Sequence, residues 1–209
     1  MSARQVWVVI ALALAAGLAT AREGDRVEAI SASTLELPGA LSSAVEPSGW
    51  RAVRADGSIA VELWLARDLG ELEEGRFVGI ARLGTPGQDV RGRVLPPGVY
   101  TLRSTQVPPS DRHGGCLRHP LFLVLARAAD HLEPEARLSF FEMTTLSASV
   151  SGGRHPAAWQ AQRGRGGSAS RAAEPGFSSA GSDEILTLPA FLRAGRAALA
   201  IFVRGSLSR

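Results

Sequence analysis

The sequence predicts a mainly β protein: an antiparallel sandwich or barrel-like domain with one or two short helices, preceded by a signal peptide. Three observations carry this. Short segments alternate apolar and polar residues with period two, Gly, Pro and Asp-Gly steps punctuate them, and no long helical patterns alternate with them as a parallel α/β sheet requires.

Taken in order, residues 1–21 read as a secretory signal. Arg4 supplies the positive start, Val6 to Leu18 is an unbroken apolar run, and Ala19-Thr20-Ala21 is a small-x-small cleavage site. The run is shorter than the ~20 apolar residues of a spanning helix, so no stable membrane anchor is expected after cleavage. The mature chain is expected to begin at about Arg22 and to form a single β-rich domain over 22–209.

Leu41, Ala44 and Val45 share a helical face that Pro47 ends. Trp50 to Arg54 and Ser58 to Leu65 read as strands joined through Ala55-Asp56-Gly57, where glycine accepts the positive φ of a tight turn. In the second, Ile59, Val61, Leu63 and Leu65 share one face and Ser58, Ala60 and Glu62 the other. Phe77 to Leu83 is a further strand, and Pro96-Pro97-Gly98 turns the chain into Val99 to Gln106. Leu121 to Leu125 is apolar on both faces, as in a central strand, with a short buried helix as the competing assignment. Ala128 to Glu133 suits a turn of helix before Pro134, with His131 and Glu133 facing solvent. Leu138 to Met143, Ile185 to Leu188 and Ala197 to Val203 complete the predicted strands. Between the last groups, 163–182 is rich in Gly, Ser, Ala and Arg and reads as a flexible loop. Trp50, Trp64 and Trp159 are assigned to the core, with a sugar-binding face as the alternative.

The sequence pI of about 10.3 suggests nucleic acid at first sight. All 23 basic residues are arginine, however, and the net charge is +3, or +2 once Arg4 is removed. Without lysine to titrate near pH 10, a small arginine excess raises the pI by itself. The arginines are scattered among acids, so nucleic-acid binding is not expected. The missing Lys and Asn fit the codon bias of a GC-rich genome. Cys116 is the only cysteine, which rules out an internal disulfide and leaves stability to the core.

The chain lacks G-x-S-x-G, H-E-x-x-H, P-loop, G-x-G-x-x-G and C-x-x-C motifs. Its one polar concentration runs from Asp111 to His119, where Asp111, His113, Cys116 and His119 surround Gly114-Gly115. Imidazole, thiolate and carboxylate are zinc and copper ligands, but this spacing matches no established site and two arginines lie within it. No cofactor is therefore predicted, zinc or copper being those the chemistry admits. Asp111, His113 and the loop residue His155 are the candidate ligand or metal residues, which would form a two-His, one-carboxylate set if the fold joined them.

Several segments between Phe77 and Trp159 resemble a group of exported bacterial proteins of unknown function. They are Val78-Gly79-Ile80-Ala81-Arg82, Asp89-Val90-Arg91-Gly92, Pro97-Gly98-Val99-Tyr100-Thr101-Leu102-Arg103, Asp111 to Gly114, Leu121 to Asp130 and Gly153 to Ala157. Cys116 and His119 fall outside that pattern. The resemblance implies export and a β-rich fold and supplies no activity. The resulting expectation is a periplasmic or extracellular, non-enzymatic module that binds a ligand or an envelope protein. The alternative is a metal-dependent enzyme, such as a hydrolase, using Asp111, His113 and His155.

Overall fold

The structure is a computed structural model that describes residues 23–32, 35–106, 121–153, 155–163, 174–180, 183–192 and 195–204. It is mainly β, as expected. The strands are β1 (Arg26–Ser31), β2 (Ser48–Val53), β3 (Ile59–Leu65), β4 (Phe77–Leu83), β5 (Gly87–Gln88), β6 (Val94–Leu95), β7 (Gly98–Gln106), β8 (Leu121–Arg127), β9 (Ala158–Arg163), β10 (Gly176–Ala180), β11 (Asp183–Leu192) and β12 (Gly195–Arg204). Two α-helices accompany them, α1 (Gly39–Ala44) and α2 (Phe140–Ser151), with a 3-10 turn at Ala128–Asp130.

Ten strands form one antiparallel sheet in the order β1-β2-β3-β4-β7-β8-β9-β12-β11-β10, and β5-β6 is a separate small hairpin. The edge strands β1 and β10 lie against each other, which nearly closes the sheet into a barrel. Arg54, just past β2, fastens the seam by donating Nε and Nη2 to the Glu184 carboxylate of β11 at 2.8 and 2.9 Å.

Register shows how the interior is built. Side chains on directly paired residues share a face, and one continuous ring of pairs is apolar. It runs Ala52↔Val61, Leu63↔Ala81, Ala81↔Tyr100 and Leu102↔Leu125. It continues through Leu123↔Trp159, Ala161↔Ile201 and Leu186↔Ile201 to Phe177↔Leu186. Leucines with Tyr100 and Trp159, both fully buried, fill the barrel. The β5–β6 hairpin is tied to this core, since Trp159 Nε1 donates to the Gln88 carbonyl at 3.0 Å and Tyr100 Oη donates to the Pro96 carbonyl.

The outer face of β3 and β4 is also covered. Leu35, Leu41, Val45, Leu69 and Leu72 extend the core there, where Trp64 and Ile80 are completely buried. The predicted strand β3 is present, but it is buried on both faces and not on one, and Glu62 is not solvated: it is enclosed by Arg51 of β2 (2.7 Å) and Arg82 of β4. Burial pushes its carboxyl up, and the hydrogen bonds and charges of the two arginines outweigh that and hold it below the usual range. Trp64 and Trp159 are core residues as assigned, and Trp50 packs partly buried against the core.

Three expectations are corrected. Leu138 to Met143 was expected to be a strand, but helix α2 starts at Phe140. Ser139 is its N-cap, with Oγ accepting from Glu142 N while the Glu142 carboxylate accepts from Ser139 N at 2.7 Å, a reciprocal capping box. Met143, Ser147 and Val150, spaced as one helical face, are its buried residues, and the helix packs on β8. His131, expected in solvent, is buried at 9% exposure behind the segment that follows it. Within the stretch read as a loop, Gly176–Ala180 is strand β10.

Candidate functional site

The site is built where the chain leaves β3 and re-enters at β4. Beyond Leu65 the backbone stays paired with the end of α1, through the Val45↔Ala66 bridge and Arg67 N–H donating to the Ala44 carbonyl at 3.0 Å. It then turns at Gly70 (φ 49°) and Gly75 (φ 73°). A Cβ on Gly70 would lie 2.7 Å from the Arg76 guanidinium, so glycine is what leaves room for that side chain. Arg76 uses the room to pair with the Asp68 carboxylate at 2.9 Å.

Arg103 of β7 knots this turn to the segment before α2. Its guanidinium, 3% exposed, donates to the carbonyls of Gly75 (2.7 Å), Ala136 (2.5 Å) and Glu133 (2.6 Å) and stacks near the Phe77 ring. Burial pulls its pKa down to about 10, so it is still a cation at neutral pH. The knot is reinforced by Gly75 N–H donating to Ser104 O at 2.8 Å and by Ser104 Oγ donating to the Glu73 carbonyl. Arg137 pairs with Glu73 across the same turn.

Beside these ties the two covering segments leave an open cleft of about 250 Å³. Ser43, Ala44, Ala66, Arg67 and Asp68 line one part, Arg76 and Phe77 the middle, and Pro134, Glu135, Ala136 and Arg137 the rest. Strand order explains the arrangement: β4 lies between β3 and β7, so the middle residues are flanked by the end of β3 and by the segment that Arg103 draws over β7. Arg67 spends Nε on the Val45 carbonyl (2.8 Å) and has no acidic partner among the described residues. Glu135 likewise has no hydrogen bond or ion pair among them. Ser43 Oγ is turned back onto its own helix, donating to Ala40 O at 3.1 Å. A second cleft, of about 210 Å³, lies at the seam beside Arg54, Glu184, Arg204 and the β5–β6 hairpin, and its acidic group is already enclosed by arginines.

Behind the first cleft, burial lowers the His131 pKa, the nearby Arg103 charge lowers it further, and Glu133 partly opposes both. Its Nδ1 accepts the Glu133 N–H at 3.4 Å, which leaves Nε2 without a partner among the described residues. Between this lowered pKa and the ordinary value of about 6.5, the unfolded chain takes up a proton that the native state refuses. Stability is therefore expected to fall as pH drops through that window. Urea unfolding of the wild type and of His131→Gln at several pH values checks this. A wild-type profile no steeper than the variant's would refute it.

Of the residues singled out in the sequence, Asp111, His113, Cys116 and His119 lie outside the described residues. His155 is exposed, and its carbonyl accepts from Arg93 Nη1 at 2.9 Å. It sits at the end of the sheet where β8 finishes, because Leu121 pairs with Ala161 and Val124 with Ala158. Gln106 and Leu121, which flank 107–120, pair with each other at the opposite end of β8. Arg93 joins the segment around Asp89 to the one around His155. Its Nε and Nη2 bond the fully buried Asp89 carboxylate, and its Nη atoms reach the carbonyls of His155 and Pro156. Asp89 Oδ1 also accepts the backbone N–H groups of Arg91 and Arg93, so the pair is an architectural clamp. Among the described residues, no group of three or more His, Cys, Asp or Glu is placed to hold a metal.

Sequence reasoning missed Arg67, Arg103 and Glu135. The available signals were a strand arginine at an alternating position and a Gly-punctuated turn between β3 and β4. No protein-family model, curated protein or solved structure matches the chain.

Proposed function

We propose that the chain is a non-enzymatic module that acts outside the cytoplasm and binds a small ligand in the cleft between its two covering segments. One observation carries the reading: the cleft is open, its walls are tied by the Arg103 knot, and it presents charged groups left unengaged by their neighbours. Ligand sites combine a mostly pre-formed concavity with a few convergent polar groups, and this volume, below the usual range of about 300–1,000 Å³, admits only a small ligand. Among the described residues that line it there is no His or Cys, and the one hydroxyl, Ser43, is turned onto its helix; both favour binding over turnover. The charged, apolar and small-residue order of 1–21 supports the extracytoplasmic setting.

The test is a thermal-shift screen of small metabolites against the wild type and Arg67→Glu. A ligand at a hundred times its Kd stabilises the native state by about 2.7 kcal/mol, or roughly 5–10 °C for a chain of this size. At least one compound is expected to do so for the wild type alone and to be recovered chemically unchanged. A screen in which both proteins respond alike, or in which the compound is converted, counts against the proposal.

A further inference from the structure

Resting on that reading, we infer that the cleft takes a small dipolar ligand carrying both a carboxylate and an ammonium group, as an amino acid or short peptide does. The charges in the cleft sort into engaged and unengaged groups. Arg76 is paired with Asp68 at 2.9 Å and Arg137 with Glu73, so these four groups are internally neutralised. Two remain, one of each sign: Arg67 has only its Nε engaged, and Glu135 has no partner among the described residues. They enter the same cleft from different segments, Arg67 from the chain just after β3 and Glu135 from the chain ahead of α2. A ligand of one charge sign would satisfy one of them and face a like charge at the other, whereas a zwitterion meets both.

Apart from the neutralised Arg76–Asp68 pair and Arg137, the rest of the lining offers small or apolar side chains. Phe77 is 5% exposed, and Ala44, Ala66 and Pro134 add only short side chains, so the space suits a small aliphatic residue. The guanidinium of Arg67 is built to bond a carboxylate with two parallel donors, and the Glu135 carboxylate accepts from an ammonium. Arg67 and Glu135 are both exposed and so are suited to substitution, Arg67 giving up only its Nε bond to the Val45 carbonyl.

The experiment titrates L-alanyl-L-alanine, its N-acetyl form, its C-terminal amide and inorganic phosphate into the purified full-length chain, with binding followed by calorimetry. The free dipeptide is expected to bind saturably, and each capped form to bind about tenfold more weakly or worse. Arg67→Gln should lose the penalty for the amide cap while keeping that for the acetyl cap, and Glu135→Gln should show the reverse. Equal affinity for capped and free peptide overturns the inference. Saturable, Arg67-dependent binding of phosphate alone also overturns it while leaving the ligand-binding module standing. If no probe binds the dipolar class fails, and the metabolite screen above then decides whether ligand binding fails with it. Thermal unfolding of each variant confirms that losses come from the cleft and not from the fold.

Discussion

Gly75→Ala is expected to destabilise the protein by roughly 3–5 kcal/mol, among the largest effects of any single methyl group in this chain. A Cβ built on Gly75 falls 1.8 Å from the Leu138 carbonyl oxygen and 2.6 Å from its nitrogen. Both are backbone atoms, so no side chain can swing aside to make room. The position also needs φ of 73°, which costs an L-residue about 1–2 kcal/mol before any contact is considered. Gly57 provides the comparison. It has φ of 82° and nothing within 4 Å of a built Cβ, so Gly57→Ala should cost about 1–2 kcal/mol from conformation alone. The difference between the variants, read from urea midpoints at equal m-value, isolates the close approach of the β3–β4 turn to the segment before α2. Equal losses would mean that the two segments are not packed this tightly.

That close approach marks where sequence reasoning stops. Phe77 to Leu83 was legible to its ends, and β3, β7 and β8 nearly so, because period-two or unbroken apolar runs between Gly and Pro steps have one ready explanation. Leu138 to Met143 was misread because a short apolar run does not distinguish strand from helix. The deciding feature is the Ser139-x-x-Glu142 capping box, which is present in the sequence but was not read there. The strands β1, β9 and β10 carry mixed polar residues with little alternation to read; β1 and β10 pair with the strands that follow them, whereas β9 owes its structure to partners far along the chain, such as Ala161 with Ile201. The cleft was not legible at all. Arg67 and Glu135 lie far apart in sequence and line one cleft because β3 and β7 are both neighbours of β4. Arg103 occupies the outward position of its strand, where an arginine normally reaches water. It is buried because the chain after β8 folds back over it and offers two carbonyls, with a third from Gly75 of the β3–β4 turn, in place of solvent.

Arg103 is therefore the second residue whose replacement should be costly, and its variants separate charge from geometry. Arg103→Met keeps an apolar stem in the same space but removes a charged donor from the carbonyls of Gly75, Ala136 and Glu133. Gly75 and Glu133 retain only long backbone bonds, from Leu138 N and Ala136 N at 3.3 Å, and the Ala136 carbonyl loses its one donor among the described residues; hydrogen bonds to a charged group contribute about 1.5–3 kcal/mol each, part of which rehydration recovers at the exposed Glu133 segment. A total loss of roughly 2–4 kcal/mol is expected, measured by urea unfolding. Arg103→Lys retains the charge, yet a single ammonium cannot reproduce a planar fork spread over two nitrogens and three acceptors, so it should recover only part of that loss. The charge itself has a separate readout at His131. Burial is the first cause of the lowered imidazole pKa and Arg103 the second, so Arg103→Met should move the His131 titration upward while Arg103→Lys leaves it close to wild type. Histidine NMR signals followed through a pH series report this directly. If the imidazole titrates alike in all three proteins, Arg103 does not exert its charge on His131 and the two groups are not neighbours behind the cleft. If it shifts in both variants alike, the knot has opened and His131 has gained water, which assigns Arg103 the role of holding the 133–137 segment down over it.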